Sequence, residues 1–369
     1  MTEFAPTDYA HMARALQLAE KGLYTTDPNP RVGCVLVRDG QVVGEGWHAR
    51  AGEPHAEVLA LRAAGELARG AAAYVSLEPC NHHGRTPPCV DALLAAGVGR
   101  VVAAVEDCNP RVAGAGLARL AAGGVQVAAG LLEEQARAVN AGFLRRVAGG
   151  RPLVRVKLAA SLDGRTAMAS GESRWITGAA ARRDVHRLRA RCSAVLTGAG
   201  TVLADDPRLT VRDFDGPFVP PLRVVLDPAL RCPPDAAVLQ GPEPSLLLHA
   251  PGQVPPRRLM SESVQCHPVA PAPEGLDLGA VLDLLAAREV NEVLVEAGAT
   301  LAGAFIAAGL VDELWVYLAP CLMGHDGRAL LRLPGLERMA ERVPLRLKEL
   351  RPVGDDLRLV LVLVPAEAG

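Results

Sequence analysis

Aromatic residues are scarce in this sequence, because Phe, Trp and Tyr together make up only 3% of its 369 residues. Charge of neither sign is in excess, with 39 basic against 41 acidic side chains. Few rings are therefore available to stack on bases, and no basic surplus attracts a polyanion. We accordingly expect no nucleic-acid partner.

Long apolar runs and a disulfide framework are also missing. No unbroken apolar run is long enough to cross a bilayer, and residues 1–22 lack the charged-then-apolar pattern of a secretion signal. The eight cysteines are scattered from Cys34 to Cys321 and do not resemble the dense framework of a small secreted domain. We therefore expect a reduced, cytoplasmic protein that does not enter a membrane.

The chain is rich in small aliphatic residues and long enough for two domains. Half of its residues are hydrophobic and 22% are charged, a balance that suits buried aliphatic strands. Helix and strand patterns alternate through residues 1–147 and again through residues 153–369. Glycines and a proline interrupt both patterns at residues 148–152. We predict an α/β protein with two domains joined by this linker.

Local patterns place several elements. Residues 32–47 predict two strands around an Asp-Gly turn, and residues 345–365 predict a second hairpin. Residues 54–65 predict a helix with a proline near its first turn. Residues 132–147, "LEEQARAVNAGFLRRV", predict one continuous helix with basic residues near its end.

Two cysteines of the first half carry a metal-site pattern. Cys80 and Cys89 each follow a proline near a predicted helix start, where the helix dipole favours a thiolate. Upstream, "PHAEV" places His55 and Glu57 at another helix start. His-x-Glu followed by Pro-Cys is the signature of zinc deaminases, in which the glutamate moves protons and is not a ligand. We predict that His55, Cys80 and Cys89 bind zinc and that Glu57 is catalytic.

Other interpretations of these residues stay open. Two cysteines in a reduced protein are often merely packed in a core. A structural zinc site would need a fourth protein ligand, for which His82 and His83 are the candidates. That site would leave Glu57 without a role.

The second half contains one candidate phosphate site. "TGAGTVLADDP" has Gly198 and Gly200, but Leu203 stands where a dinucleotide-binding turn needs a small residue. "VEAGATLAGAF" is a better candidate, because a strand ending at Glu296 leads through a small-residue turn into a helix start. A tight turn that binds nothing is the alternative.

At this level of detail the sequence resembles a known family. The first half contains "PNPRVGCVLV", "PHAEV" and "LEPCNHHGRTPPC", which are similar to the deaminase half of the bifunctional riboflavin-biosynthesis deaminase/reductases. The second half contains "VKLAASLDGRTAMASGESRWIT", "TVLADDPRLTVR" and "LVEAGATLAGAF", which resemble the reductase half of the same family. The motifs occur in the same order in both.

The resemblance implies a fold for each half. Residues 1–147 would form a cytidine-deaminase-like three-layer domain, and residues 153–369 a dihydrofolate-reductase-like α/β domain. It also implies one zinc ion per chain, NADPH, phosphorylated pyrimidine substrates, and a homo-oligomer, either a dimer or a tetramer.

In the deaminase half, the resemblance implies that the loop between the cysteines contacts substrate. His82 and Arg85 would bind the substrate phosphate, although a solvated loop is the alternative. Asn29 would bind the edge of the pyrimidine, unless it only forms a turn.

In the reductase half, we predict that Lys157 and Asp205 are catalytic residues at the reacting centre. The implied NADPH contacts are Ala159, Trp175, Thr201, Asp205, Gly298, Ala299, Thr300, Leu301, Ala302, Gly303 and Ala304. The implied substrate contacts are Ser173, Arg189, Leu209, Arg212 and Glu296. As alternatives, Trp175 is a core aromatic, Arg189 lies on the surface and Asp205 caps a turn.

Together these features imply a two-step reaction. A zinc-activated water would remove the 2-amino group of 2,5-diamino-6-ribosylamino-4(3H)-pyrimidinone 5′-phosphate, and NADPH would then reduce the ribosyl group to ribityl. A rival hypothesis is a deaminase for a nucleoside or tRNA whose second domain has lost activity.

Overall fold

The computed structural model describes residues 4–82, 87–108 and 113–364. The chain divides into two units, Met1–Gly150 and Arg151–Gly369. Within the described ranges, no helix is long and apolar enough to cross a membrane.

A five-stranded mixed sheet lies at the centre of the first unit. Its strands are β1 (Gly33–Arg38), β2 (Gln41–Trp47), β3 (Ala72–Val75), β4 (Arg100–Ala103) and β5 (Gln126–Ala129). The helices of its described part are α1 (Pro6–Glu20), α2 (Ala56–Ala64), α3 (Cys89–Ala95), α4 (Ala115–Ala122), α5 (Glu133–Val139) and α6 (Ala141–Gly149). The strand order is β2-β1-β3-β4-β5, with β3, β4 and β5 parallel and β1 antiparallel to both neighbours.

Helices cover both faces of this sheet. One apolar cluster joins the sheet to α2, α3 and α4, with Ala60, Leu93 and Leu120 fully buried. The other joins it to α1, α5 and α6 and includes Met12 and Leu144. The predicted three-layer arrangement is therefore confirmed.

The start of α2 is held tightly against β2. A Cβ atom at Gly46 would lie 2.3 Å from the carbonyl oxygen of Ala56. Only glycine lets two backbones approach this closely. Because His55 and Glu57 flank Ala56, this contact positions both side chains.

The helix predicted over residues 132–147 is wrong in one respect, because α5 and α6 are separate helices that meet at Asn140. The Asn140 side chain accepts a hydrogen bond from the Arg31 N–H and donates one to the Arg31 carbonyl, each 2.8 Å long. The Asn140 backbone leaves the helical region, with φ −110° and ψ 22°. A partner 109 residues away leaves no local trace in the helix pattern.

The second unit contains, in its described part, one nine-stranded sheet and two sheets of two strands each. The strands of its described part are β6 (Leu153–Ser161), β7 (Arg165–Ala167), β8 (Ala194–Gly198), β9 (Leu222–Leu226), β10 (Ser245–His249), β11 (Val264–Pro268), β12 (Pro271–Ala272), β13 (Gly275–Leu276), β14 (Glu292–Val295), β15 (Glu313–Ala319), β16 (Arg328–Ala329), β17 (Leu345–Val353) and β18 (Asp356–Leu363). The helices are α7 (Ala179–Arg191), α8 (Ala199–Asp205), α9 (Leu278–Ala287) and α10 (Ala299–Ala307).

The order of the nine-stranded sheet is β11-β10-β9-β8-β14-β6-β15-β18-β17. Only β18 runs antiparallel to its neighbours, β15 and β17, and all other neighbouring pairs are parallel. The parallel strands β8, β14 and β6 are neighbours, so the loops after β8 and β14 leave the same edge of the sheet. The sheet thereby brings together segments that are about a hundred residues apart.

The sequence patterns predict most of these elements but not the short helices α4 and α8 or the short strands β7, β12, β13 and β16. Both predicted hairpins are confirmed as β1–β2 and β17–β18. Helix α6 ends at Gly149 and β6 begins at Leu153, so the segment predicted as the linker overlaps the end of α6.

A buried ionic network crosses the strands of the second unit. Arg155 is 1% exposed and contacts the carboxylates of Glu292 and Glu313. Glu292 also pairs with Arg191, and Glu313 with Lys348. Each charge removed from water here is matched by an opposite charge, which is the condition for its burial.

Replacing Arg155 by methionine leaves the two carboxylates with too few partners. We expect Arg155→Met to lower the free energy of unfolding by about 3–5 kcal/mol, the usual result of breaking a buried pair. Urea denaturation followed by fluorescence of the nearby Trp315 measures it. Arg338→Met, which removes an exposed pair with Glu341, is the control and should leave the midpoint unchanged. Equal midpoints for both variants would contradict the expectation.

Candidate active sites

Three metal-binding side chains of the first unit converge. His55 is the N-cap of α2, Cys89 is the first residue of α3, and Cys80 lies in the loop after β3. The His55 Nδ1 and the two Sγ atoms all lie within 4.8 Å of one another. One imidazole nitrogen and two thiolates form the donor set of a catalytic zinc site, which leaves a fourth position open. The residues present therefore fit zinc.

Hydrogen bonds already polarise the two thiols. Cys80 Sγ accepts from the Cys89 N–H at 3.3 Å and lies 3.5 Å from His55 Nδ1. Hydrogen bonding to Cys89, helped by His55 and opposed by burial, lowers the pKa of Cys80. The same contact, together with burial, raises the pKa of Cys89. A bound cation would displace the proton of a thiol ligand.

Glu57 lies beside this cluster in the first turn of α2 and is 3% exposed. Burial, together with the nearby charge of Cys80, raises the pKa of Glu57 to about 7. A cation held by the cluster would act in the opposite direction. A carboxylate that is shielded from water and next to a metal site is placed to move protons.

Asn29 is oriented by a histidine that the sequence patterns did not single out. Asn29 Nδ2 lies 3.0 Å from His48 Nε2, and His48 Nδ1 lies 3.3 Å from the Pro54 carbonyl. A carbonyl can only accept, so Nδ1 carries the proton and Nε2 accepts from the Asn29 amide. Burial lowers the pKa of His48, which keeps this form neutral. The His48 ring is 5.2 Å from that of His55.

Glu78 fixes the loop that carries Cys80. Its buried carboxylate accepts hydrogen bonds from four backbone N–H groups, those of Asp107, Gly114, Gly116 and Leu117, at 2.8–3.2 Å. Two of these donors belong to the first turn of α4. The carboxylate thus ties the strand end before Cys80 to a segment thirty residues further along the chain.

Part of the predicted substrate loop can be located. His82 is exposed and lies two residues after Cys80. Arg85 and His83 lie outside the described residues.

In the second unit, Lys157, Arg189 and Glu296 meet at the edge of the sheet. The register of β6 with β14 pairs Val156 with Val295, which places Lys157 beside Glu296. Arg189 donates to Glu296 through Nε at 2.5 Å and Nη2 at 2.9 Å. The three predicted site residues thus come together from a strand, a helix and the end of another strand.

The charges of this cluster compensate one another. Burial alone would raise the pKa of Glu296, but Arg189 and Lys157 hold it at about 2. Burial lowers the pKa of Lys157, and Glu296 opposes that shift. The alternative of a surface Arg189 is wrong, since its side chain is only 12% exposed.

Ser173 and Asp205 line one cleft of about 410 Å³. Arg174 also lines it and donates to the Asp205 carbonyl at 2.7 Å. Trp175, next to the cleft, is 71% exposed and stacks under Arg182 at 4.5 Å. The alternative of a core aromatic is therefore wrong for Trp175.

The remaining predicted NADPH contacts surround two strand-to-helix turns. Thr201 lies in the first turn of α8, and Gly298 is the N-cap of α10. A Cβ at Gly198 would lie 3.3 Å from the Leu301 side chain, so the two turns are close together. Ala159 follows Lys157 on the same face of β6.

The last two predicted substrate contacts differ in exposure. The Leu209 side chain is 3% exposed within an apolar cluster, so a substrate contact there would have to use the backbone. The Arg212 side chain is exposed, and its backbone N–H donates to His186 Nδ1 at 3.1 Å.

His48, Glu78 and His186 are the residues that sequence reasoning missed. Glu78 closely follows a buried strand, and His186 precedes Arg189 by one helical turn, which are weak but visible signals. The only signal for His48 in the sequence is its position shortly before "PHAEV".

Comparisons with known proteins identify a matching family for each unit. Residues 6–105 match the family model of the cytidine and deoxycytidylate deaminase zinc-binding region, and residues 152–359 match that of the RibD C-terminal domain. The riboflavin biosynthesis protein RibD of Escherichia coli is 52% identical over 366 residues, which cover 96% of this chain and 99% of that protein. RibD of Haemophilus influenzae is 48% identical and covers 97% and 98%.

Two solved structures are similar over nearly the whole chain. RibD of Acinetobacter baumannii has a TM-score of 0.91 at 45% identity, covering 97% of this chain and 99% of that one. A Thermotoga maritima protein has a TM-score of 0.84 at 32% identity, with the same coverage. It is described as a diaminohydroxyphosphoribosylaminopyrimidine deaminase/5-amino-6-(5-phosphoribosylamino)uracil reductase.

Removing one oxygen acceptor from Glu78 should loosen the Cys80 loop. In the wild type the backbone N–H groups donate to a carboxylate, whereas in Glu78→Gln some of them face an amide NH₂, which cannot accept. We expect zinc affinity to fall roughly 10- to 100-fold, as for other partners of metal ligands. Competition with a chromogenic chelator measures this, and the exposed Glu106→Gln is the control. Identical affinities for the two variants would show that Glu78 does not position the ligand.

Proposed function

This chain belongs to the RibD family of bifunctional riboflavin-biosynthesis enzymes, and we propose that the clusters around His55 and around Glu296 are its two active sites. The enzyme is a zinc-dependent deaminase and an NADPH-dependent reductase. Its second unit has the dihydrofolate-reductase-like fold of the RibD reductases. The location of Glu57, buried next to three metal-binding side chains, carries the proposal for the first site.

In the deaminase, His55, Cys80 and Cys89 hold the metal. Zinc supplies Lewis acidity and lowers the pKa of a water molecule. Glu57 accepts one proton from the attacking water and delivers it to the ring nitrogen, and it then passes the second proton, from the added hydroxyl, to the departing amine. The carbon–nitrogen bond of the 2-amino group breaks, a carbonyl forms in its place, and ammonia leaves.

Asn29 binds the pyrimidine. Because His48 occupies its amide NH₂, the Asn29 Oδ1 is oriented away from His48 and can accept from a ring N–H or amino group. His82 and Arg85 of the loop between the cysteines bind the substrate phosphate.

In the reductase, NADPH supplies a hydride to the ribosyl carbon. Ala159, Trp175, Thr201, Asp205 and the turn at residues 298–304 bind the cofactor. The reduced bond is the carbon–nitrogen double bond of the substrate's ring-opened imine form. Lys157 polarises this bond and places a proton on its nitrogen as the hydride reaches its carbon, while Asp205 adjoins the reacting centre. Lys157 suits this role because it is half-buried beside Glu296 and burial lowers its pKa, which eases the release of its proton.

The substrate of this second site has hydroxyl groups and a phosphate. Glu296 accepts hydrogen bonds from ribosyl hydroxyls, and Arg189 holds its carboxylate in place. Arg212 binds the phosphate, since its guanidinium is exposed. Ser173 and the backbone of Leu209 are the other substrate contacts of this site.

A purely structural zinc site is less well supported. Among the described residues, the cluster contains three protein ligands and no fourth. His82, a candidate for that position, is exposed. The rival with an inactive second domain fails because the chain belongs to the bifunctional family and retains Lys157, Asp205 and Glu296.

We also propose that the enzyme acts in the cytoplasm as a homo-oligomer, a dimer or a tetramer. Leu345, Leu347 and Leu350 on the edge strand β17 are 44–54% exposed, which supports association through this strand.

Glu57→Gln should separate metal binding from turnover. The amide cannot take up a proton, so we expect zinc content to be retained and ammonia release to fall about 10²- to 10⁴-fold. Metal analysis and an ammonia assay measure the two quantities, and NADPH oxidation with the deaminated substrate is the internal control. Unchanged ammonia release would favour the structural zinc site.

Lys157→Met should impair the reductase and leave the deaminase active, the reverse of the effect of Glu57→Gln. We expect ammonia release to persist and NADPH oxidation to fall at least about 100-fold, because the site loses its proton donor. Incubation of each variant with the diaminopyrimidine ribotide, with and without NADPH, measures both steps. Wild-type-like NADPH oxidation in Lys157→Met would remove this residue from the reacting centre.

A further inference from the structure

A short segment of the second unit has a strained backbone. Asp206, Leu209 and Asp213 have φ values of 43°, 54° and 50°, in the left-handed region that residues with a Cβ avoid. Such conformations persist only where neighbouring contacts impose them, and they concentrate at functional sites. Residues 206–213 are called the left-handed segment below.

Contacts at both ends hold the left-handed segment. The Asp206 side chain accepts from the Ala237 N–H at 2.7 Å, and the Leu209 side chain is buried. Arg189 donates through Nη1 to the Thr210 carbonyl at 2.9 Å. Because Arg189 also binds Glu296, the segment is tied to the proposed substrate site.

The last contact is made by His186. Its Nδ1 accepts the hydrogen bond from the Arg212 N–H at 3.1 Å, and its side chain is 8% exposed. His186 lies on α7, one turn before Arg189. Two side chains of one helix therefore hold the residues on either side of Val211, while the Arg212 side chain extends into solvent.

The contact requires an unprotonated Nδ1, because a protonated imidazole has no acceptor. Burial, followed by the positive charges of Arg189 on α7 and Arg212 on the segment, lowers the pKa of His186. Glu296 after β14 and Asp213 on the segment act in the opposite direction but do not reverse the shift. The surroundings thus favour the accepting form.

We propose that His186 is a positioning residue of the reductase: its unprotonated Nδ1 fixes the backbone of Arg212 and so places the Arg212 guanidinium for the substrate phosphate. This inference rests on the proposed role of Arg212. His186 itself need not touch the substrate. Its contribution is to the binding of the phosphorylated substrate and not to hydride transfer.

Two substitutions of His186 separate positioning from packing. His186→Asn keeps an acceptor, Oδ1, near the place of Nδ1, whereas His186→Leu has similar bulk and no acceptor. We expect His186→Leu to raise the KM for the ribosylaminouracil phosphate about fivefold or more, the effect of losing one hydrogen bond, with kcat and the KM for NADPH little changed. His186→Asn should restore most of the substrate KM.

Arg212→Gln tests the premise separately. It should raise the same KM about tenfold or more, and adding His186→Leu to it should have no further effect, because the two residues act through one contact. An unchanged KM in Arg212→Gln would refute the phosphate role of Arg212. A raised KM in Arg212→Gln with an unchanged KM in His186→Leu would refute only the role of His186. Ammonia release and the thermal midpoint show whether each variant is folded.

The pH dependence gives a second readout. His186 contributes while neutral, so its contribution is lost as the pH falls through its pKa in the folded protein. As the pH is lowered, the KM of the wild type should therefore rise relative to the KM of His186→Asn. The substrate phosphate titrates equally with both proteins, so its effect cancels in this ratio. Parallel KM profiles for these two proteins would overturn the proposal.

Discussion

A charged side chain that loses its water must find opposite charge or several hydrogen bonds, and this requirement organises the interior of both units. Glu78 satisfies it with four backbone N–H groups, and Arg155 with two carboxylates. Glu296 satisfies it with the guanidinium of Arg189. Each solution connects segments that are far apart in the sequence, so neutralising a charge also sets the position of the residues around it.

The metal cluster is the part of the molecule that the sequence predicts best. His55, Cys80 and Cys89 follow a short pattern, and His55 and Cys89 stand at helix starts that local signals also reveal. The helix start expected near Cys80 is wrong, because Cys80 lies in the loop after β3. Zinc binding restricts which residue types can be ligands, and the strands and helices restrict how far apart the ligands lie in the sequence. Where both restrictions apply to neighbouring residues, a pattern is sufficient to bring three side chains together.

The surrounding residues were harder to predict because their partners are distant. His48 acts on Asn29 across 19 residues, and Asn140 breaks a helix to bind Arg31 across 109. Nothing in a window of ten residues distinguishes such an asparagine from one on a helix surface. In the reductase unit, resemblance identified Lys157, Arg189 and Glu296, but His186 came to light only through the hydrogen bond to the Arg212 backbone.

The contact between Asn140 and Arg31 also bears on how the enzyme is made. Arg31 is two residues from Asn29, and both of its backbone groups bond to the Asn140 side chain. A nascent chain leaves the ribosome from its N-terminus, and domains fold as units during synthesis. All three metal ligands emerge some fifty residues before Asn140 does. The growing polypeptide therefore contains all three metal ligands before it contains the residue that fixes the Arg31 backbone, so the segment next to Asn29 becomes fixed only when the first unit is nearly complete.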